Sequence, residues 1–455
     1  MSLHSSVTSS LSGRACAVIF CYTLALQGSL CVDELLQILI ATIAVGSLYA
    51  LVALGYTLVY GVLKFINFAH SDVFVLGAWT SFTTAVVLRM TVGEGETVPW
   101  WGVALVFLAA VTVCGVVGYC IERFAYRPLR KAPRLNVLIT AIGVSLLLQN
   151  LGQITGPAVA RGPEKSVVRD GQTVTQEGDP LATVPFGATP KSMPTLIPNV
   201  VLNETVIESG TIAGGALRGT VVFDKPITFS EGRQYRLEVT RTVNEADGTA
   251  RIVVDRLSLD AEAGTIAPGT EVRTTPRRSA AELQGATYEL VRSPRVPIGL
   301  IDVIIVTVSL ALMTGLQLLI FRTKLGAAMR ALSHNIETAS LMGVNTNFVL
   351  SFTFVLGAVL AASAAFLYPL KYPGLNQTAH GIWVLLGLKA FVAAVVGGIG
   401  NVRGAVLGGF LIAAIEFFGA YFYAPLRDVY VFTLLIVVLL YKPSGILGRA
   451  VVEKV

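Results

Sequence analysis

Asn67, His70, Ser71 and Asp72 fall within the stretch YGVLKFINFAHSDVFVLGAW, residues 60–79, with Lys64 just ahead of them. An amide, an imidazole, a hydroxyl and a carboxylate so close together could bind a polar or zwitterionic cargo. Their surroundings are apolar, and an Asp at the centre of a membrane helix costs about 2.5–3.5 kcal/mol. Two readings account for such residues. Asn67 and His70 face a path through the membrane, or they hydrogen-bond to neighbouring helices and cap a break without touching cargo. A second apolar segment is broken by GGIGNVRG, residues 397–404, so that Gly397, Gly398 and Gly400 join the candidates. Paired Gly-interrupted segments in two halves of a chain point to a transporter's cargo site, where helix-end N–H and C=O groups face a cavity.

Other chemistry is sparse. Glu416 lies inside an apolar segment, where an acid is functional or held in a buried pair with a partner subunit. Lys389, in the preceding apolar segment, snorkels or pairs with it. Glu122, with Arg123 and Arg127 at the end of another apolar segment, reads as a headgroup anchor rather than a gate. The four histidines, His4, His70, His334 and His380, are too scattered for a metal site, and no cofactor is implied. No G-x-x-x-x-G-K-[ST] loop occurs, so the chain does not bind ATP in that manner. No nucleophile–base motif suggests an enzyme, and no catalytic residue is assigned.

The elements that must position these groups are membrane spans. The chain has 455 residues, 54% hydrophobic and 14% charged, whereas a soluble domain carries about a quarter charged residues. The charge is concentrated. Residues 161–295 hold 16 basic and 17 acidic residues, 33 of the 62 charges. The expected fold is therefore an all-α polytopic membrane protein with a β-rich soluble insert. Nine spans or partial spans are expected near 35–62, 66–89, 99–121, 135–157, 297–321, 348–370, 381–399, 404–424 and 428–442. Residues 1–33 read as a leader or an extra span. Residues 34–157 and 297–455 form the two halves of the membrane body, and 158–296 is the insert.

Basic residues orient the spans. Arg123, Arg127, Arg130, Lys131 and Arg134 form one group, Arg322, Lys324 and Arg330 a second, and Lys442, Arg449 and Lys454 a third. Simple alternation puts all three on one side, the cytoplasm, and the insert on the other. Within the insert, RQYRLEV and TARIVVDRLSL read as strands around an Asp247-Gly248 turn. The Pro- and Gly-rich stretches near 178–198 and 264–278 read as loops. The five cysteines form no disulfide framework.

The most informative loop is TKLGAAMRALSHNIETASLMGVNTN, residues 323–347. Glu337, Thr338 and Ala339, followed three residues later by Gly343, resemble the coupling-loop signature of ABC importer permeases, with Thr338 in place of an alanine. The resemblance implies that the cytoplasmic loop 322–347, through Arg330, Glu337, Ala339 and Gly343, docks on a separate ATPase. The segments GYTLVYGVLKFINFAHSDVFVLGAW, IERFAYRPLRKAPRLNVLITAIGVSLLLQN, GLKAFVAAVVGGIGNVRGAVLGG and YKPSGILGR extend the likeness. Together they resemble the H-type permease of the branched-chain amino acid importer family over 34–157 and 297–455. Ser71 stands where that family usually carries glycine.

The resemblance implies a second homologous permease, two ATPase subunits and an extracytoplasmic binding protein as partners, in the inner or plasma membrane. Nucleic acid is not expected. Urea and short-amide permeases are close relatives, so those cargoes stand as alternatives. An ion-coupled secondary transporter, with Asp72 or Glu416 as its coupling acid, is a rival of another class. A membrane-anchored sensor built around the insert is a third.

Overall fold

The computed structural model describes residues 32–448, apart from 91–97, 131, 376–381 and short stretches between 163 and 285. The leader, with Cys16, Cys21 and Cys31, and the Asp247-Gly248 turn lie outside the described residues. So do Lys131, His380, Arg449 and Lys454.

Eleven α-helices run through the described membrane body. They are α1 (Val32–Leu63), α2 (His70–Val87), α3 (Trp100–Cys120) and α4 (Arg134–Gln153) before the insert. After it come α5 (Leu300–Arg322), α6 (Lys324–His334), α7 (Ile336–Leu341) and α8 (Thr346–Lys371). The last three are α9 (Ile382–Gly397), α10 (Val402–Tyr423) and α11 (Arg427–Tyr441). Nine of these fall on the nine expected segments. Among the described residues six apolar stretches are long enough to cross a membrane, the last of them, Val402–Tyr441, combining α10 and α11. Helix α2 has 18 residues and α9 has 16, and both are partial spans beside the full-length ones.

Helices α1 and α8 form the centre. Helix α1 packs on α10, α8, α9 and α5, and α8 packs on α3, α1 and α2. Lipid supplies no hydrophobic drive for helices to associate, so contact depends on close packing at small residues. Two positions show this. A Cβ at Gly409 would sit 2.6 Å from Ala50 N, and one at Gly77 would sit 3.1 Å from Ala362 Cα.

Two ends of the bundle can be told apart. At one end, Arg127 and Arg130 bond Asn347 at the start of α8, and Gly400 meets the end of α1 at Tyr60 and Gly61. The tail after α11 lies there too, its Ile446 N–H on Val396 O and Leu447 N–H on Gly397 O. The described members of the three basic groups thus gather at this end. At the other end, Asp302 pairs with Lys371, Tyr421 donates to Glu34, and Gln37 bonds Arg295 O.

The segment between α4 and α5 hangs from that second end. Six antiparallel strands close into a barrel: β1 (Thr205–Gly214), β2 (Thr220–Phe223), β3 (Tyr235–Asn244), β4 (Ala250–Asp260), β5 (Glu271–Thr275) and β6 (Thr287–Arg292). Their order round the barrel is β4-β5-β2-β1-β6-β3. Alternate residues such as Leu237, Val239, Leu257, Tyr288 and Leu290 fill its core. The expected loop at 264–278 is a correction. Gly264–Ile266 pairs with Ile227–Phe229, and β5 bridges β4 and β2 with Val272 buried. Long-range pairing there overrides the local Gly and Pro signal.

A short neck joins the barrel to α5. Val201 bridges Gly299, Leu202 N–H donates to Ile298 O, and Leu300 N–H donates to Val200 O. Asn203, first residue of an Asn-x-Thr triplet, spends its side chain here. It donates to Val296 O at 2.7 Å and accepts from Ile298 N at 3.0 Å.

Gly409→Val should drive a branched side chain into the α1 backbone. A thermal unfolding scan in detergent is expected to show a loss of about 1–3 kcal/mol or more, the range for overpacking. Gly315→Ala on α5, where nothing lies within 4 Å, should leave the midpoint unchanged or slightly higher.

Candidate functional site

The loop between α5 and α8 is built from two capped helices. Thr323 caps α6, its Oγ1 accepting from Gly326 N at 3.1 Å. Asn335 leaves the helical region and caps α7, its Oδ1 accepting from Glu337 N and Thr338 N. Arg330 reaches back from α6 to donate to Ile320 O and lies over the Phe321 ring, which fixes α6 to the end of α5. Ala339 is buried beneath α7, whereas Glu337 and Gly343 are exposed. Gly343 ends α7 with φ of +83°, a left-handed turn that suits glycine. Ile336, Leu341 and Met342 are exposed on the same loop, Leu341 at 87% and Met342 at 80%. These three apolar side chains stand on α7 and just past its end.

The polar stretch between α1 and α2 is a turn between helices rather than an interruption within one. Asn67 is buried, and its Oδ1 accepts from Ala69 N and from the Tyr126 hydroxyl. It therefore ties the turn to the π-helical end of α3, Ile121–Tyr126. His70 is buried too, edge-on to Tyr56 at 4.6 Å. Its Nε2 has no hydrogen-bond partner among the described residues. The ring fits only because residue 55 is glycine: a Cβ there would lie 2.2 Å from Nε2. Gly357 of α8 adjoins the same ring. His70 thus wedges the crossing of α1 and α8, and Gly55, which the sequence reading did not single out, makes its seat.

The second Gly-rich break also lies at a helix end. Gly397, Gly398 and Gly400 turn the chain from α9 into α10, with positive φ at Gly398 and Gly400. A Cβ on Gly397 would meet Gly404 O at 1.9 Å, and one on Gly398 would meet Gly448 N at 2.5 Å. The turn is packed against the C-terminal tail, and Asn401 adds a bond to Leu447 O. Gly400 adjoins Tyr60 and Gly61, so the turns holding the two sets of candidates lie side by side at the end that carries the basic loops. The candidate coupling residues and path residues do not form one cluster.

Three polar networks complete the picture. Lys389 of α9 lies 2.7 Å from Glu416 of α10 and 2.6 Å from Asp428 of α11. The other Glu416 oxygen accepts from Tyr49 of α1 at 2.7 Å. Lys389, which the sequence left to snorkel or to pair with Glu416, forms a buried ion pair with it. The signal for this was their sign and apolar context, but the geometry needed the fold. Glu122, expected at a headgroup, is buried and binds Arg130 and Ser351. Asp72 of α2 is buried and accepts from Ser145 and Gln149 of α4. Among the described residues no group of three or more His, Cys, Asp or Glu could hold a metal ion.

Comparisons with known proteins agree on one relationship. A family model described as the permease component of branched-chain amino acid transport systems matches residues 38–172 and 263–440. The chain is 33% identical over 422 residues to the high-affinity branched-chain amino acid transport system permease protein BraD of Pseudomonas aeruginosa, covering 92% of this chain and 98% of that protein. It is 30% identical over 421 residues to the corresponding protein LivH of Escherichia coli K12, covering 92% and 97%. A shorter match, 31% identical over 112 residues, links 23% of the chain to 30% of the autoinducer 2 import system permease protein LsrC of Yersinia enterocolitica. No solved structure matches.

The ion pair makes a direct prediction. Lys389→Met strands the Glu416 carboxylate and should cost about 3–5 kcal/mol, the range for breaking a buried pair from one side. Lys389→Met combined with Glu416→Gln should recover part of that loss. Thermal unfolding of the four proteins of the double-mutant cycle measures both.

Proposed function

The chain belongs to the family of branched-chain amino acid transport permeases, and from that premise we propose that it is the permease subunit of an ATP-driven importer. It forms the translocation path for branched-chain amino acids. The observation that carries this reading is the loop between α5 and α8. Its two capped helices, the exposed Glu337, and the exposed Ile336, Leu341 and Met342 around Gly343 suit docking into the groove of a separate ATPase. Arg330 and the buried Ala339 set the posture of that loop.

The assembly comprises this chain, a second homologous permease, two ATPase subunits and an extracytoplasmic substrate-binding protein in the inner membrane. The basic groups face the cytoplasm, and the β-rich insert faces the opposite side. ATP acts by binding one state of the assembly more tightly than the other, which shifts the population between outward- and inward-open forms. The chain itself performs no chemistry. The cargo for which its BraD and LivH relatives are named supports amino acids first. The LsrC match shows that a permease named for a different cargo shares part of this sequence.

Uptake into vesicles tests the reading. Leucine should accumulate only with ATP inside and the ATPase present, and excess valine should compete where urea does not. Uptake that survives removal of the ATPase and collapses with a protonophore would replace this reading with ion coupling.

Gly343→Val forces a β-branched residue into a left-handed turn, at a cost of about 1–2 kcal/mol. It should reduce ATPase co-purification and leucine uptake together, at least ten-fold, in a chain that still elutes as a single species. Asn67→Leu and His70→Leu ask whether these two line the path: unchanged uptake with normal assembly would remove both from it.

A further inference from the structure

The outward face of α4 is poorly explained by lipid. Among the described residues six stretches are long enough to cross a membrane, and of these α4 is the least covered, with 11% of its most apolar part buried against 22–72% in the others. Among the described helices it packs chiefly on α2 and the π-helical turn after α3. Down the middle of its exposed face run Asn136, Gly143 and Asn150. A spacing of seven residues keeps them in one stripe, about 21 Å long.

Gly143 is the informative member. A glycine inside a helix costs about 1 kcal/mol relative to alanine, and none of the described residues lies within 4 Å of where its Cβ would be. No packing among the described residues requires it. Two amides flank it. Asn136 has no side-chain partner among the described residues, and Asn150 bonds only the carbonyl of Leu146 on its own helix. On the edge of the same face, Ser145 and Gln149 hold the buried Asp72 carboxylate and are themselves half-exposed. Lipid tails offer none of these groups a hydrogen bond. The outward face of α3 differs, being formed by Trp101, Leu105, Leu108, Val113 and Val116. Gly315 is open as well, but its helix α5 is held by both α1 and α8.

We propose that the Asn136–Gly143–Asn150 face of α4 is the seam with the second permease subunit. A transmembrane helix of that subunit approaches the backbone at Gly143 and exchanges hydrogen bonds with the flanking amides. Small residues permitting close approach, with amides as crosslinks, are the usual composition of a helix–helix contact in lipid. The contact also covers the open side of the Asp72 network. This inference rests on the importer reading above, which supplies the second permease.

The test uses the whole complex, purified through a tag on this chain. A benzoylphenylalanine photo-crosslinker is placed at Leu146, beside the stripe, or at Leu108 on α3 as control. Illumination should join the Leu146 position, and not the Leu108 position, to a second permease-family chain identified by mass spectrometry. Gly143→Leu should lower the recovery of that chain at least ten-fold, while this subunit keeps its yield from the membrane and elutes without aggregation. Gly143→Ala should lower it less.

Adducts with lipid alone, or full recovery of the second permease with Gly143→Leu, would overturn the inference. An adduct between two copies of this chain would also overturn it. A wild-type complex that contains no second permease would instead defeat the importer reading, which separates the two failures.

Discussion

The close approach of α1 to its neighbours is the constraint on which the rest of this molecule depends. A membrane interior gives helices no reason to cohere beyond packing and hydrogen bonds. The sequence answers with small residues where backbones meet: Gly409 against Ala50, Gly77 against Ala362, Gly55 beneath the His70 ring. Once α1 is enclosed by α8, α9 and α10, the turns at its ends are fixed, and so are the groups those turns carry. His70 is placed by this crossing, and through it the entry into α2.

Polar groups in the bundle mostly serve that same end. Asn67 ties the α1–α2 turn to Tyr126. Glu122 links the end of α3 to the start of α8 through Arg130 and Ser351. Lys389 gathers Glu416 and Asp428, and Tyr49 adds a bond to the central helix. Each is costly in lipid as an isolated side chain, and each is satisfied by a residue far away in sequence. The costs that looked like a signature of cargo at single positions are in good part offset by hydrogen bonds between helices.

The sequence displayed the helices well, because long apolar runs bounded by charge leave few other choices. Nine of the described helices lie on the segments that composition indicates. Local features of the loop between α5 and α8 are equally near in sequence, since Asn335, Glu337 and Gly343 act there as a cap, an exposed charge and a left-handed turn. What the sequence hid were relations across the fold. Nothing near Gly55 announces that it seats an imidazole fifteen residues later. Glu122 resembled a headgroup anchor because its acceptor role depends on Arg130 and Ser351, one of them 229 residues away. The barrel strand Glu271–Thr275 was masked by Gly and Pro around it, because its partners are long-range. The Gly397–Gly400 turn resembled an interrupted span, and its docking on the C-terminal tail could not be read from the run itself.

Helix α5 joins two features that sit on opposite faces of the bundle. At one end the paired neck around Asn203 locks it to the barrel, and at the other Arg330 and Thr323 lock it to α6. Between them lie 23 helical residues, a rod of about 34 Å. A tilt of that rod cannot be confined to one face. If one tilt of α5 is favoured by a contact on the barrel, linkage requires a contact on α7 that distinguishes the same tilts to be affected by the same free energy, and the reverse. The membrane here separates two compartments chemically while leaving them mechanically continuous.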